Sequence, residues 1–122
     1  MKVLVADDDL DQLTLRCLLL ERNGFETLQA SDAASALALA QSEHPQCAVM
    51  DLRFPDEESG FRLVRDLKAL ETATRIILLT GTSPGKLAAR PELDLVDEVV
   101  QKSSGTASLI RMLKLVERTD SG

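Results

Sequence analysis

The amino-acid sequence predicts a doubly wound α/β fold, in which one five-stranded parallel sheet carries helices on both faces. Five short apolar runs are typical of buried strands, and they cover residues 3–6, 25–30, 47–52, 76–80 and 96–100. Stretches with helical periodicity separate these runs, and a parallel pairing requires such connections of about a dozen residues or more. Ligands of such sheets bind beyond the carboxyl ends of the strands, where functional residues are therefore expected.

Four helices are predicted from the spacing of apolar residues. They cover residues 10–23, 31–42, 59–70 and 106–116. Gly24 is placed to end the first helix, because glycine readily adopts the left-handed conformation that follows a helix. Ser31 is the expected N-cap of the second helix, and His44 with Pro45 terminates it.

The segment between the fourth and fifth strands departs from this regular pattern. It contains Pro84, Gly85 and Pro91, and a helix that begins with Pro84 in its first turn must end before Pro91. We therefore predict a short helix of about two turns here. The last residues, 118–122, are predicted to form a frayed tail.

Length and composition favour one domain, residues 1–122, of a soluble protein. Hydrophobic residues make up 44% and charged residues 28% of the chain, which are ordinary values. A formal charge of -6 disfavours direct binding to nucleic acid or to an anionic membrane. Cys17 and Cys47 lack the spacing of metal ligands and are expected to pack as small apolar side chains. The N-terminus has too few apolar residues for a signal peptide or a membrane span, so a cytoplasmic location is expected.

Polar residues follow four of the five predicted strands and should gather at one edge of the sheet. They are Asp7 and Asp8 after the first strand, Asp51 at the end of the third, Thr80 at the end of the fourth and Lys102 at the end of the fifth. Three carboxylates at one edge repel one another unless a cation neutralises them, and oxygen ligands of this kind suit Mg2+. The sequence therefore predicts a magnesium site.

Asp51 lies in the apolar stretch "CAVMDLRFP", where an acidic side chain is unfavourable unless it binds or reacts. A carboxylate can act as a nucleophile toward phosphorus and form an aspartyl phosphate. Lys102 and Thr80 have the chemistry to bind the other phosphoryl oxygens, through a positive charge and a hydroxyl group.

These motifs resemble those of the receiver domain of two-component response regulators, and the resemblance covers essentially the whole chain. The matching stretches are "ADDD", "MDLRFP", "LLTG" and "VVQKS". The resemblance implies a flavodoxin-like sheet of strand order 2-1-3-4-5. It also implies Asp51 as the phosphoacceptor, Thr80 as the switch hydroxyl and Lys102 as the cation that binds the phosphoryl group.

The resemblance further implies a metal ligand set and a class of partner. The ligands of Mg2+ are then Asp7, Asp8, Asp51 and the backbone carbonyl of Arg53, with one of the first two acting through water. The phosphoryl group comes from a sensor histidine kinase or a histidine phosphotransfer protein, the effector is left open, and a homodimer is possible. Such a domain catalyses its own phosphorylation and dephosphorylation, so no turnover of separate substrates is expected.

Two positions depart from the family pattern. The aromatic residue that family members usually carry three positions before the lysine is Val99, and the proline that usually follows the lysine is Ser103. Valine has no comparable rotamer swing, and without the proline Lys102 needs another support. Both changes lie beside the short fourth helix, so we expect the output to use a non-standard surface or a different motion.

The first helix carries a candidate docking surface. Leu15 and Leu18 lie opposite its apolar face and are expected to face solvent near the acidic residues, where the family receives its phospho-histidine partner. The alternative is that scattered exposed leucines have no function. Asp9 is expected to serve the start of this helix, and an N-cap cluster is the alternative role for Asp7 and Asp8.

Two other functions compete with a phosphorylation switch. A degenerate receiver that binds partners constitutively is favoured by Val99 and Ser103, although the five polar positions are intact. A phosphohydrolase with an aspartyl-phosphate intermediate requires a general acid two residues beyond Asp51, and that position is Arg53.

Overall fold

The computed structural model describes residues 1–81, 84–87 and 89–121. Its five strands form one parallel sheet of order β2-β1-β3-β4-β5, which confirms the predicted fold class. The strands are β1 (Lys2–Ala6), β2 (Glu26–Ala30), β3 (Cys47–Asp51), β4 (Arg75–Thr80) and β5 (Glu98–Gln101). The change of direction in strand order falls between β1 and β3, so the crevice of the doubly wound sheet opens there.

Five helices and two 3-10 turns accompany these strands within the described residues, and the last helix and the last 3-10 turn follow β5. The helices are α1 (Leu10–Arg22), α2 (Ala33–Glu43), α3 (Glu57–Ala69), α4 (Pro84–Leu87) and α5 (Thr106–Ser121). The 3-10 turns are Pro91–Leu95 and Lys102–Ser104. Helix α4 confirms the prediction of a short helix that ends before Pro91, although within the described residues it makes a single turn instead of the predicted two. No helix among the described residues is long and apolar enough to cross a membrane.

Alternate side chains of the strands point to opposite faces of the sheet and form two apolar layers. In β1, Leu4 belongs to the layer under α2 and α3, whereas Val3 and Val5 belong to the layer under α1 and α5. Cys17 and Cys47 are both buried in the second layer, which confirms their predicted packing role. Burial raises the pKa of the Cys17 thiol, as expected for an inert apolar contact.

Aspartates cap the first three helices, and this shifts two of the predicted helix starts. Asp9 caps α1, as expected, by accepting hydrogen bonds from the backbone N–H groups of Asp11 and Gln12. The cap of α2 is Asp32 and not the predicted Ser31. The cap of α3 is Asp56, so this helix begins two residues before the predicted residue 59. Carboxylates suit these positions because they also favour the positive end of the helix dipole.

The ends of two helices differ in how well they follow the sequence pattern. Gly24 follows the C-cap of α1 with a φ of 90°, which agrees with the predicted end of this helix. The last helix continues to Ser121, so the predicted end at residue 116 is wrong. Fraying from residue 118 stays a prediction, and Gly122 lies outside the described residues.

Helix α3 lies unusually close to the loop that follows β3. A Cβ atom built on Gly60 would lie 1.8 Å from the carbonyl oxygen of Leu52, directly after the last residue of the strand. Only glycine therefore permits this approach of helix to loop. The loop behind Asp51 and the first turns of α3 are packed as one unit.

An ionic cluster joins α3 to the 3-10 turn at Pro91. Glu92 is buried and pairs with Arg65 and with Arg90, whose Nε lies 3.2 Å from Oε1 of Glu92. Arg90 also pairs with Glu58, and its guanidinium carbon lies 4.3 Å from the ring centre of Phe61. The hydrogen bonds to Glu58 and Glu92 raise the pKa of Arg90 above its usual range. We call Glu58, Arg65, Arg90 and Glu92 the ionic cluster.

Candidate functional site

The carboxyl ends of four strands bring the predicted polar residues to one edge of the sheet. Asp7 follows β1, Asp51 ends β3, Thr80 ends β4 and Lys102 follows β5. The register sets Asp51 opposite Leu79, so the neighbouring strands β3 and β4 end at nearly the same level. Asp7, Asp51 and Thr80 are buried, although polar side chains are rarely buried without partners.

Asp51 and Lys102 form the centre of the site. The Lys102 Nζ donates to Oδ2 of Asp51 over 2.6 Å, and Oδ1 accepts from the backbone N–H of Arg53 over 3.1 Å. Thr80, Gly81 and Arg53 join these two residues around an open cleft of about 280 Å3. A nucleophilic carboxylate, a fixed positive charge and a hydroxyl-bearing residue therefore share one small cleft, large enough for a phosphoryl group.

No proline follows Lys102, and other local contacts hold this lysine in place. The lysine begins the 3-10 turn Lys102–Ser104, and the Oγ of Ser104 donates to the carbonyl of Gln101 over 2.7 Å. Gly105 closes the turn with a φ of 82°, and its N–H donates to the carbonyl of Lys102 over 3.2 Å. Two local hydrogen bonds and a glycine thus fix the lysine at the end of β5.

Asp7 has a partner that the sequence analysis missed. Its Oδ2 accepts from Nη1 of Arg16 over 3.0 Å, while its Oδ1 accepts from the backbone N–H of Asp9 over 2.9 Å. The spacing of Arg16 indicates only that it needs a partner, because this residue lies three positions after Leu13 and four before Leu20, beside the inward face of α1. The sequence does not show which acid that partner is, because Asp7 belongs to another element.

Asp8 differs from its neighbour, because its side chain is exposed. Among the described residues, no three Asp, Glu, His or Cys side chains are grouped closely enough to hold a metal ion. Asp7 and Asp51 therefore lie at the same edge of the sheet, and each is paired with a cation, Arg16 and Lys102 respectively. Their carboxylates and the neighbouring carbonyl of Arg53 are nevertheless the hard oxygen donors that Mg2+ prefers, so the donor chemistry fits the predicted metal.

The remaining predicted positions lie around this centre. Val99 is half-buried in β5 and Ser103 is exposed in the 3-10 turn after it. Leu15 and Leu18 are 51% and 43% exposed on α1, which confirms that they face solvent. Leu10, at the start of the same helix, is 63% exposed. We call Leu10, Leu15 and Leu18 the α1 surface.

A parallel sheet of order 2-1-3-4-5 with an acid, a lysine and a threonine at its carboxyl edge is the arrangement that the resemblance to receiver domains implies. The sequence matches the profile of the response regulator receiver domain over residues 3–114. The chain therefore belongs to the response regulator receiver domain family.

Curated relatives and solved structures are similar to this chain. Sporulation initiation phosphotransferase F of Bacillus subtilis is 29% identical over 100 residues, 80% of this chain and 71% of that protein. The alkaline phosphatase synthesis transcriptional regulatory protein PhoP of Bacillus subtilis is 34% identical over 80 residues, 66% of this chain. Seven of the curated relatives, PhoP among them, are longer proteins of which the matched part spans between 17% and 52%.

Two solved structures share the fold over nearly the whole chain. A CheY-like receiver domain protein from Methanospirillum hungatei superposes with a TM-score of 0.83 and 25% identity, covering 99% of this chain and 98% of that one. The response regulator protein TrrA from Thermotoga maritima, in complex with Mg2+ and BeF, has a TM-score of 0.82 and 25% identity, covering 94% and 97%.

Proposed function

We propose that this chain is a phosphoacceptor switch, in which Asp51 receives a phosphoryl group from the phospho-histidine of a sensor histidine kinase or a histidine phosphotransfer protein. The observation that carries the proposal is the buried Asp51 carboxylate, held by Lys102 at 2.6 Å in a cleft open to solvent. A carboxylate that lines an open cleft and is paired with one fixed cation is suited to accept a charged group.

The residues of the cleft divide the chemistry between them. An oxygen of Asp51 attacks phosphorus, the P–N bond to the donor imidazole breaks, and the electron pair leaves with the imidazole nitrogen. The incoming group carries a charge of about -1.5 to -2. Lys102 balances part of that charge through its ammonium group, and Thr80 supplies a hydroxyl for another phosphoryl oxygen. Attack of water on the acyl phosphate returns the Asp51 carboxylate and inorganic phosphate.

Asp7, Asp8, Asp51 and the backbone carbonyl of Arg53 are the groups that would hold Mg2+. When bound, the ion would supply positive charge that offsets the negative charge of the carboxylate and of the incoming phosphoryl group. Asp7 is already buried and fixed at the correct edge by Asp9, which keeps one candidate ligand in place.

The proposed function is tested by incubating the protein with Mg2+ and a small acyl phosphate and measuring the intact mass. We expect one phosphoryl adduct on the wild type and none on Asp51→Ala. Asp94→Asn removes an exposed acid outside the site and should still form the adduct. Lys102→Met should slow adduct formation about 100-fold, which is the usual cost of removing one charge-stabilising group.

A constitutive interaction module is the second candidate. The pairing of Asp7 with Arg16 favours it, since a carboxylate already neutralised by the chain has less need of a metal. The same mass measurement separates the two, because a module of this kind forms no adduct. An adduct that persists in Asp51→Ala contradicts the phosphoacceptor assignment directly.

We also propose that the output does not use the usual movement of the fourth helix. Val99 on β5 has no large side chain whose rotamer could change, and the ionic cluster links the 3-10 turn after α4 to α3. Structures of the phosphorylated and unphosphorylated forms that differ by a shift of α4 would contradict this proposal.

A further inference from the structure

Arg16 is a largely buried cation that the phosphoacceptor chemistry does not require. Its side chain is 11% exposed, and it pairs with the side chain of Asp7, which is 1% exposed. Salt screens such a pair much less than a pair on the surface. Because Asp7 is a candidate metal ligand, the charge of Arg16 acts directly on the predicted metal position.

The hydrogen bonds of Asp7 leave limited room for another cation. One carboxylate oxygen accepts from Arg16 over 3.0 Å and the other from the N–H of Asp9 over 2.9 Å. A carboxylate offers about four lone-pair positions, so a metal can still approach. It must do so next to a fixed positive charge, which opposes its binding.

The charges of the site lead to the same conclusion. Asp7 pairs with Arg16 and Asp51 pairs with Lys102, and the exposed Asp8 adds a third carboxylate, which leaves one net negative charge among these five groups. Removal of Arg16 would leave two. The affinity of an oxygen site for a divalent cation rises with the number of ligand charges, so Arg16 lowers it.

We propose that Arg16 is a resident counter-ion that competes with Mg2+ for Asp7, and that it sets the Mg2+ concentration at which the site is loaded. A cavity of about 140 Å3 between α1 and the start of α5 gives the guanidinium space when it leaves Asp7. Gln12, Arg16, Lys102 and Thr106 are among the residues that line this cavity. The inference rests on the proposed function for the identity of the metal.

The test measures the dissociation constant of Mg2+ alone by titration calorimetry. Arg16→Gln should bind Mg2+ at least about tenfold more tightly than the wild type, because a unit charge a few ångströms away is worth that much at the effective dielectric of a protein. Arg16→Lys keeps the charge and should remain within about threefold of the wild type. Arg22→Gln removes an exposed charge from the end of α1 and should change little.

Equal affinities of the wild type and Arg16→Gln would overturn the inference. If Arg16→Gln unfolds without metal, the inference can still be tested, because the Mg2+ concentration that restores the far-UV circular dichroism depends on the same affinity. If Mg2+ does not restore the fold of this variant, the proposal is contradicted and the role of Arg16 is to stabilise the fold. Failure of the proposed function is recognised separately, as a wild type that forms no adduct at saturating Mg2+.

Discussion

Three consecutive aspartates have three different surroundings in this protein. Asp7 is buried and paired with Arg16, Asp8 is exposed, and Asp9 caps α1. The difference follows from their positions between a strand that ends and a helix that begins, since the chain turns outward over these residues. One charge run therefore contains a paired acid, a free acid and a structural acid.

At Asp9 we predict a loss of stability. Asp9→Ala removes the acceptor for the N–H groups of Asp11 and Gln12 and should lower the free energy of unfolding by about 1 kcal/mol. Asp9→Ser keeps an N-cap acceptor and serves as the control. The measurement is urea denaturation, and unchanged stability of the alanine variant would show that the cap is unimportant.

At Gly60 we predict a steric effect. Gly60→Ala places a methyl group 1.8 Å from the carbonyl oxygen of Leu52, so α3 or the loop after Asp51 must move. The cost should reach at least about 2 kcal/mol of unfolding free energy, as in overpacked cores. Gly85→Ala is the matched control, because nothing lies within 4 Å of its Cβ position in helix α4. Similar melting temperatures of the two variants would contradict the prediction.

At the scale of the elements, the order and type of the strands and main helices could be predicted from apolar periodicity alone. The starts of α2 and α3 could not, because Ser31 and Asp32 are both acceptable caps and only the packed helix selects between them. The strand-end residues Asp51, Thr80 and Lys102 could be predicted from the sequence because a parallel sheet aligns the carboxyl ends of its strands.

The ion pairs between elements could not be predicted from the sequence. Arg65 and Arg90 meet acidic residues 27 and 32 positions away, so no local pattern joins them. Arg16 and Asp7 are only nine positions apart but belong to different elements. Charge pairing between elements depends on a fold that must already be known.

The ionic cluster predicts a pH dependence. The pKa of Glu92 is lowered, first by a hydrogen bond from its own backbone N–H and then by Arg90 and Arg65. A lowered pKa in the folded state stabilises the fold above the ordinary pKa of 4.5, and this contribution is lost as the pH falls through the folded value. Glu92→Gln should therefore be less stable than the wild type at pH 7.

The difference between Glu92→Gln and the wild type should shrink below pH 4.5. Urea denaturation as a function of pH measures it. Asp94→Asn alters an exposed acid of the same 3-10 turn and should show no such convergence with the wild type. A difference that is constant from pH 7 to pH 3 would exclude ionisation of Glu92 as its cause.

At the scale of the whole molecule, the sheet places the cleft at Asp51 and the α1 surface at neighbouring positions. Asp7 connects them, since it directly follows β1 and pairs with Arg16 on α1. A partner that docks on α1 would therefore approach the same edge of the sheet as Asp51. The α1 surface and the ionic cluster on α3 lie on opposite faces of the sheet.

We predict that the α1 surface matters for a protein donor only. Leu15→Ser combined with Leu18→Ser should slow phosphotransfer at least about tenfold from a histidine kinase that phosphorylates the wild type, because a tenfold change needs only about 1.4 kcal/mol and burying one leucine side chain is worth about 1.5–3 kcal/mol. Phosphorylation by a small acyl phosphate should be unchanged. Leu115→Ser, at a leucine 58% exposed on α5, is the control. Equal slowing with both donors would contradict the docking role.

The ionic cluster also implies that parts of this molecule open independently. The central strands are held by completely buried apolar side chains such as Val3 and Val49, whereas charged groups attach the 3-10 turn Pro91–Leu95 to α3. Such a region can open without unfolding of the sheet. Its amide protons should exchange with solvent well before those of β1 and β3, and they should exchange faster as salt weakens the ion pairs.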